Sequence, residues 1–136
     1  GRYHLFPGAS GQAYGEVGAS AGFAIGPASV DLAGHYAPRQ SAIGGDNLYL
    51  SSGAAFAIPG TALTLSGHVG RSSGAVRRAD RGVRLRPGGR YWDHGIALDW
   101  YRGRWSAGLR YADTDLDGAA ARHAGASLIA RLGFTL

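Results

Sequence analysis

In the last eleven residues, ASLIARLGFTL, Ala126, Leu128, Ala130, Leu132, Phe134 and Leu136 share one parity, and Ser127, Arg131, Gly133 and Thr135 share the other. Successive strand side chains point to opposite faces, so the segment reads as a strand with one apolar and one wet side. The apolar side needs a cover. In a soluble sandwich the cover is a second sheet; in an outer-membrane barrel it is lipid, and the wet side lines the lumen.

The rest of the chain repeats this design. Tight turns are expected at Gly26-Pro27, Pro59-Gly60 and Tyr101-Arg102-Gly103-Arg104, where glycine and proline punctuate the pattern. Longer polar or glycine-rich connections are expected from Pro7 to Gln12, Pro38 to Asp46, Arg71 to Arg90 and Asp113 to Gly125. Between them lie strands at Tyr3–Phe6, Ala13–Ile25, Ala28–Ala37, Asn47–Ile58, Ala62–Gly70, Tyr91–Tyr101, Arg104–Ala112 and Ser127–Leu136. Most exceed the ~5–6 residues usual for globular strands and match the length that crosses a bilayer at a tilt. Short and long connections alternate strictly, as in up-and-down barrels with short periplasmic turns and long outer loops.

Face assignment follows the same parity. Val17, Ala19, Ala21, Phe23 and Ile25 oppose Tyr14, Glu16, Gly18, Ser20 and Gly22; Trp92, Ile96, Leu98 and Trp100 oppose Asp93, Gly95 and Asp99. Every charged residue inside a strand is expected on the polar parity. By depth, Phe23, Phe56, Trp100, Trp105 and Phe134 lie near the short turns, and Tyr36, Trp92 and Tyr111 near the opposite end. Two aromatic rows bracketing small and aliphatic residues are the girdles expected where rings sit at headgroups. The competing soluble sandwich would instead bury Leu65, Leu98 and Leu132 in one shared dry core.

Composition narrows the chemistry. The chain has 136 residues, enough for one domain; arginine provides all 14 basic charges, and cysteine and methionine are absent, which excludes disulfides and thiolate metal sites. No apolar run approaches the ~18 residues of a transmembrane helix. The chain opens on Gly1 without a basic, apolar leader, and is expected to be a processed form or a fragment.

The polar parity supplies the candidate lumen residues Glu16, Asp31, His35, His68, Asp93, Asp99, Arg110 and Arg131. Counting back from the turn at Tyr101–Arg104 puts Arg110 opposite Gly95 with Asp93 on its diagonal, so an ion pair is expected there, joined by Asp99, Glu16 or Arg131. Its role is either a charge constriction or plain interior compensation. His35, His68, Ser29, Ser66 and Asp31 can be assembled on paper into a hydrolase triad, but no nucleophile elbow fixes them, and no HExxH-type spacing marks a metal site. No catalytic, cofactor or metal residue is therefore expected. Gly18, Gly22, Gly53, Gly95, Gly108 and Gly133 fall on the same parity and leave room for bulky neighbours, with Tyr14, Tyr49 and Tyr91 as the candidates to fill it.

The stretch RSSGAVRRADRGVRLRPGGR holds Arg71, Arg77, Arg78, Arg81, Arg84, Arg86 and Arg90 against Asp80 alone. Such a run can neutralise phosphates, yet no stacking aromatics or nucleic-acid module surround it. On an outer loop the nearest polyanion is lipopolysaccharide, and an anion-attracting vestibule is a second option; a solvated loop without a ligand is the plain alternative.

The segments FPGASGQAYGEVGASAGFAIGPASVDLAGHYAP, GGDNLYLSSGAAFAIPGTALTLSGHVGRSSG and YWDHGIALDWYRGRWSAGLRYADTD resemble the TorF-type porin family, a conserved hypothetical bacterial family, over nearly the whole chain. The resemblance implies a Gram-negative outer-membrane barrel with a porin role and no catalytic residues to transfer. Members of that family carry a signal peptide and further upstream strands, so the chain is expected to be the C-terminal portion. The combined expectation is an all-β, antiparallel up-and-down transmembrane β-barrel, residues 1–136 forming a single domain, in the bacterial outer membrane. It would admit small hydrophilic solutes by passive diffusion, with lipid and lipopolysaccharide as further partners. The alternative is a small non-conducting barrel that is structural or binds through its arginine-rich loop.

Overall fold

The computed structural model describes residues 1–7, 13–75, 85, 89–116 and 124–136. The expected strands all form: β1 (Arg2–Phe6), β2 (Tyr14–Ile25), β3 (Ala28–Gln40), β4 (Gly45–Ala57), β5 (Leu63–Ser73), β6 (Tyr91–Arg102), β7 (Trp105–Thr114) and β8 (Ser127–Phe134). They make one antiparallel sheet in the order β1 to β8, each strand bonded to its neighbours in sequence. Among the described residues β1 and β8 do not pair with each other, so the sheet is not closed. No described helix is long and apolar enough to cross a membrane.

Two hairpins close on two-residue turns, Ile25 pairing Ala28 and Arg102 pairing Trp105. Gly26 and Gly103 open these turns at φ 57° and 60°, a left-handed conformation that favours glycine. At the other end the structure departs from the sequence reading. β3 and β4 run further than expected, past an irregularity between Ala37 and Gln40. A 3-10 turn at Ser41–Ile43 then joins them. This connection, 41–44, is shorter than 58–62 between β4 and β5, so short and long connections do not alternate strictly. The reason lies in Pro38, which has no N–H to give the ladder, and the register shifts around it. The Gln40 side chain takes over, accepting from Gly15 N–H at 2.7 Å and donating to Gly15 O at 2.8 Å.

Cross-strand register confirms the two faces. Val17–Tyr36, Ala21–Leu32 and Phe23–Val30 face each other on one side, as do Phe56–Leu65, Leu65–Leu98, Leu98–Leu109 and Trp105–Phe134. The last two rings meet at 4.8 Å between centroids. Leu65, Leu98 and Leu132 are 42%, 41% and 73% exposed; they share no dry core, and no second protein layer covers this face among the described residues. Ile129 is the exception in β8, pointing to the polar side opposite Arg110.

The buried apolar cluster is small and lies at the long-connection end. It comprises Tyr14, Ala37 and Ile43, with Ala42 and Leu85 packed against it. Leu85 belongs to the arginine-rich connection, so at least one residue of that segment returns to the mouth of the polar face. The polar side is also the concave one: one hollow of about 200 Å³ touches Asp31 on β3 and Arg110 on β7. Four strand spacings of ~4.8 Å separate those strands along the sheet, and curling is what brings both walls to one cavity.

Candidate functional site

All eight candidate lumen residues lie on the concave face. Glu16 is placed by β2 and receives His35 of β3, with Nδ1 to Oε1 at 2.9 Å. Further across, Tyr49 of β4 donates to Asp93 Oδ1 at 3.0 Å, and His68 Nε2 stands 3.6 Å from the same oxygen. His4 of β1 extends the row, its ring 6.4 Å from that of His35. A continuous band of imidazole, carboxylate and phenol thus crosses β1 to β6. Beside it Ser72 donates to Asn47 at 2.6 Å, and both side chains are buried. A buried polar pair of this kind must find its partners within the protein, and Tyr91, directly across from Ser72, adds a further side-chain hydrogen bond to it.

The other end of the sheet carries a different charge. Arg131 of β8 meets Asp99 of β6 at 3.0 Å and donates to Tyr101 at 3.2 Å. The expected Arg110–Asp93 pair does not form. Arg102 pairs with Trp105, which sets Arg110 opposite Ala97, while Asp93 faces Thr114. The sequence count placed the turn one residue early on each strand. A shift of two in pairing keeps every side chain on its face but moves Arg110 beyond Asp93. Arg110 makes no ion pair among the described residues.

Glycine is what lets these side chains lie flat. A Cβ at Gly53 would sit 2.5 Å from Asp31 Oδ1, one at Gly108 2.5 Å from Asp99 Oδ1, and one at Gly95 2.6 Å from His68 Cε1. Each of these pairs is directly cross-strand. The room expected for tyrosines is therefore occupied mainly by charged and imidazole groups. Tyr49 does fill such a gap, but over Gly70, which lets it reach across β5 to Asp93. Sequence reading missed the Tyr49–Asp93 and Asn47–Ser72 partnerships. The signal available was Gly70, a bare position on the polar parity between two long polar side chains.

His35 and His68 turn to carboxylates, and neither hydrogen-bonds a serine among the described residues, so the serine–histidine constellation does not assemble there. No metal-holding cluster of three ligand side chains occurs among the described residues. Of the basic cluster, Arg77, Arg78, Arg81, Arg84 and Arg86 lie outside the described residues; Arg90 precedes β6. Arg71 corrects the expectation that strand charges avoid the apolar side. β5 extends through it, it pairs with Trp92 on the apolar face, and its guanidinium stands 5.2 Å over that ring. Arg102 and Asp113 sit similarly, opposite Trp105 and His94 at strand ends. At such ends a charged head reaches polar surroundings while its stem covers apolar surface.

Compared with known proteins, residues 2–132 match the model of Gcw_chp, described as a bacterial protein of unknown function. The chain belongs to that family. No curated protein and no solved structure matches it.

Proposed function

We propose that this Gcw_chp family member is a bacterial outer-membrane β-barrel protein that admits small hydrophilic solutes by passive diffusion along its concave face. The observation that carries the reading is the apolar convex face, which runs across long strands with no protein layer against it among the described residues. Lipid is the cover that suits it. On β6, Trp92 and Trp100 mark the two ends of this face; eight residues at ~3.4 Å each give ~27 Å along the strand, and a tilt of about 40° projects this to ~20 Å, close to the ~25 Å apolar band of such barrels. The sequence resemblance to the TorF-type porins supports the solute-passing role. The assignment includes no catalytic step.

The test is reconstitution. Heat-modifiable migration in detergent and stepwise conductance in planar bilayers are the expected results. A folded, monodisperse protein without detergent overturns the membrane assignment.

One observation favours a second reading. Leu85 packs at the mouth of the polar face against the Tyr14–Ile43 cluster, and eight strands closed alone leave an interior just wide enough for side chains to fill. On this reading the barrel is structural or binds lipopolysaccharide through its arginine-rich loop. Membrane insertion and lipopolysaccharide binding without conductance select it.

A further inference from the structure

The concave face sorts its charges into those already matched and those left over. Of its four carboxylates, Glu16 holds His35, Asp93 holds Tyr49 and His68, and Asp99 holds Arg131. Asp31 has no hydrogen bond or ion pair among the described residues. Of the two arginines on β7 and β8, Arg131 is committed to Asp99 and Tyr101, and Arg110 has no such partner among the described residues. Arg2 of β1, opposite Gly18, is likewise without an ion pair among the described residues, but Asp31 and Arg110 are opposite in sign and line one hollow of about 200 Å³. Its floor is made of small residues, Gly53, Ser66, Gly95 and Ala97, and His68 stands at its side. Asp31 lies across Gly53, towards the hollow. It does not pair with Arg110 within 4.0 Å, so the two charges remain available to a ligand lying between them.

We infer that this trough is a binding site for a short zwitterionic peptide, its ammonium group on Asp31 and its carboxylate on Arg110. The guanidinium fork is the donor geometry that fits a carboxylate, and the acid opposite is the matching acceptor for an ammonium. The span favours a peptide over a single amino acid. Four strand spacings put the two Cα atoms ~19 Å apart along the sheet before curl and side-chain reach shorten the gap, and an extended tripeptide spans ~10 Å. The Ser66 hydroxyl and the His68 ring are the polar groups available to the peptide backbone between its ends. The inference narrows the solute class of the channel reading and rests on it for its physiological sense; binding is measured apart from conduction, so the two can fail separately.

The probe is triglycine, titrated calorimetrically into the detergent-solubilised full chain, with the N-acetylated, C-amidated tripeptide as control. Triglycine is expected to bind and the doubly capped form to bind much more weakly. Asp31→Asn and Arg110→Gln should each weaken triglycine binding roughly tenfold or more, as loss of a charge-assisted hydrogen bond does. The strand signal by circular dichroism should stay unchanged. The exchange variant Asp31→Arg with Arg110→Asp should restore binding with the peptide reversed, and it carries the test if a neutral variant fails to fold. Equal binding of capped and uncapped tripeptide, absence of triglycine binding, or wild-type affinity in both neutral variants overturns the site. Conductance without triglycine binding leaves the channel and removes the site; binding without conductance does the reverse.

Discussion

On the convex face Ala21, Ile96 and Leu98 are exposed and lie beside their cross-strand partners Leu32, Tyr111 and Leu109. One residue along the same strands, Ser20, Gly95, Ala97 and Asp99 turn to a concave side where hydroxyls, carboxylates and imidazoles engage each other across the strands. The first face is defined by what is missing from it, because no described part of the protein buries its side chains. The second is defined by pairing, with Glu16–His35, Tyr49–Asp93, Asn47–Ser72 and Asp99–Arg131 each satisfied within the chain. A hydrophobic surface can be specified by residue type alone. A polar network also needs the right partner at the right register, because an unmatched buried group costs free energy.

The largest expected effect comes from placing the same charge on each face in turn. Ala21 and Ser20 are adjacent in β2 and lie near the middle of the stretch from Val17, which faces Tyr36 of β3, to Phe23. Ala21→Arg is expected to destabilise the protein in bilayers by ~2–4 kcal/mol, as a charge near the midplane does, and Ser20→Arg by much less. Urea titrations in lipid vesicles measure both, and equal penalties would break the distinction between faces. Next comes the buried pair. Ser72→Ala strands Asn47 and should cost ~1–3 kcal/mol by the same titration; Asn47→Ala, which leaves Ser72 its Tyr91 partner, should cost less, and replacing both should cost less than the sum of the two. A smaller effect is expected at the edge of the convex face. Arg71→Ala removes a cation from above Trp92 and should cost ~0.5–1 kcal/mol, with a shift in tryptophan emission as the accompanying reading. The smallest is Arg131→Gln. The arginine is 59% exposed, so losing its pair with Asp99 should cost ~0–1 kcal/mol and less in high salt.

Alternation alone made the strands legible. Every run with clean parity formed where expected, because period-two patterning over ten or so residues leaves few competing arrangements. The ends were less legible. The Ala37–Gln40 irregularity and the extension of β5 through Arg71 depend on how proline and the last polar residues share hydrogen bonds with a neighbouring strand, which no local pattern states. The candidate site was legible as a set and not as a set of partners: all eight charged or imidazole candidates lie on the concave face, yet Arg110 is two positions from where a turn count put it.

The amino-acid order thus determined which side chains are companions on a face, since that follows from the geometry of a single extended strand. Tertiary structure decided who touches whom. The turn at Arg102–Trp105 set one register, the bare Cα of Gly70 let Tyr49 cross a whole strand to Asp93, and the curl of the sheet brought Asp31 and Arg110 to one hollow. Each of those outcomes depends on atoms far apart along the chain, where a displacement of one pairing step changes every partner without moving any residue to the other side.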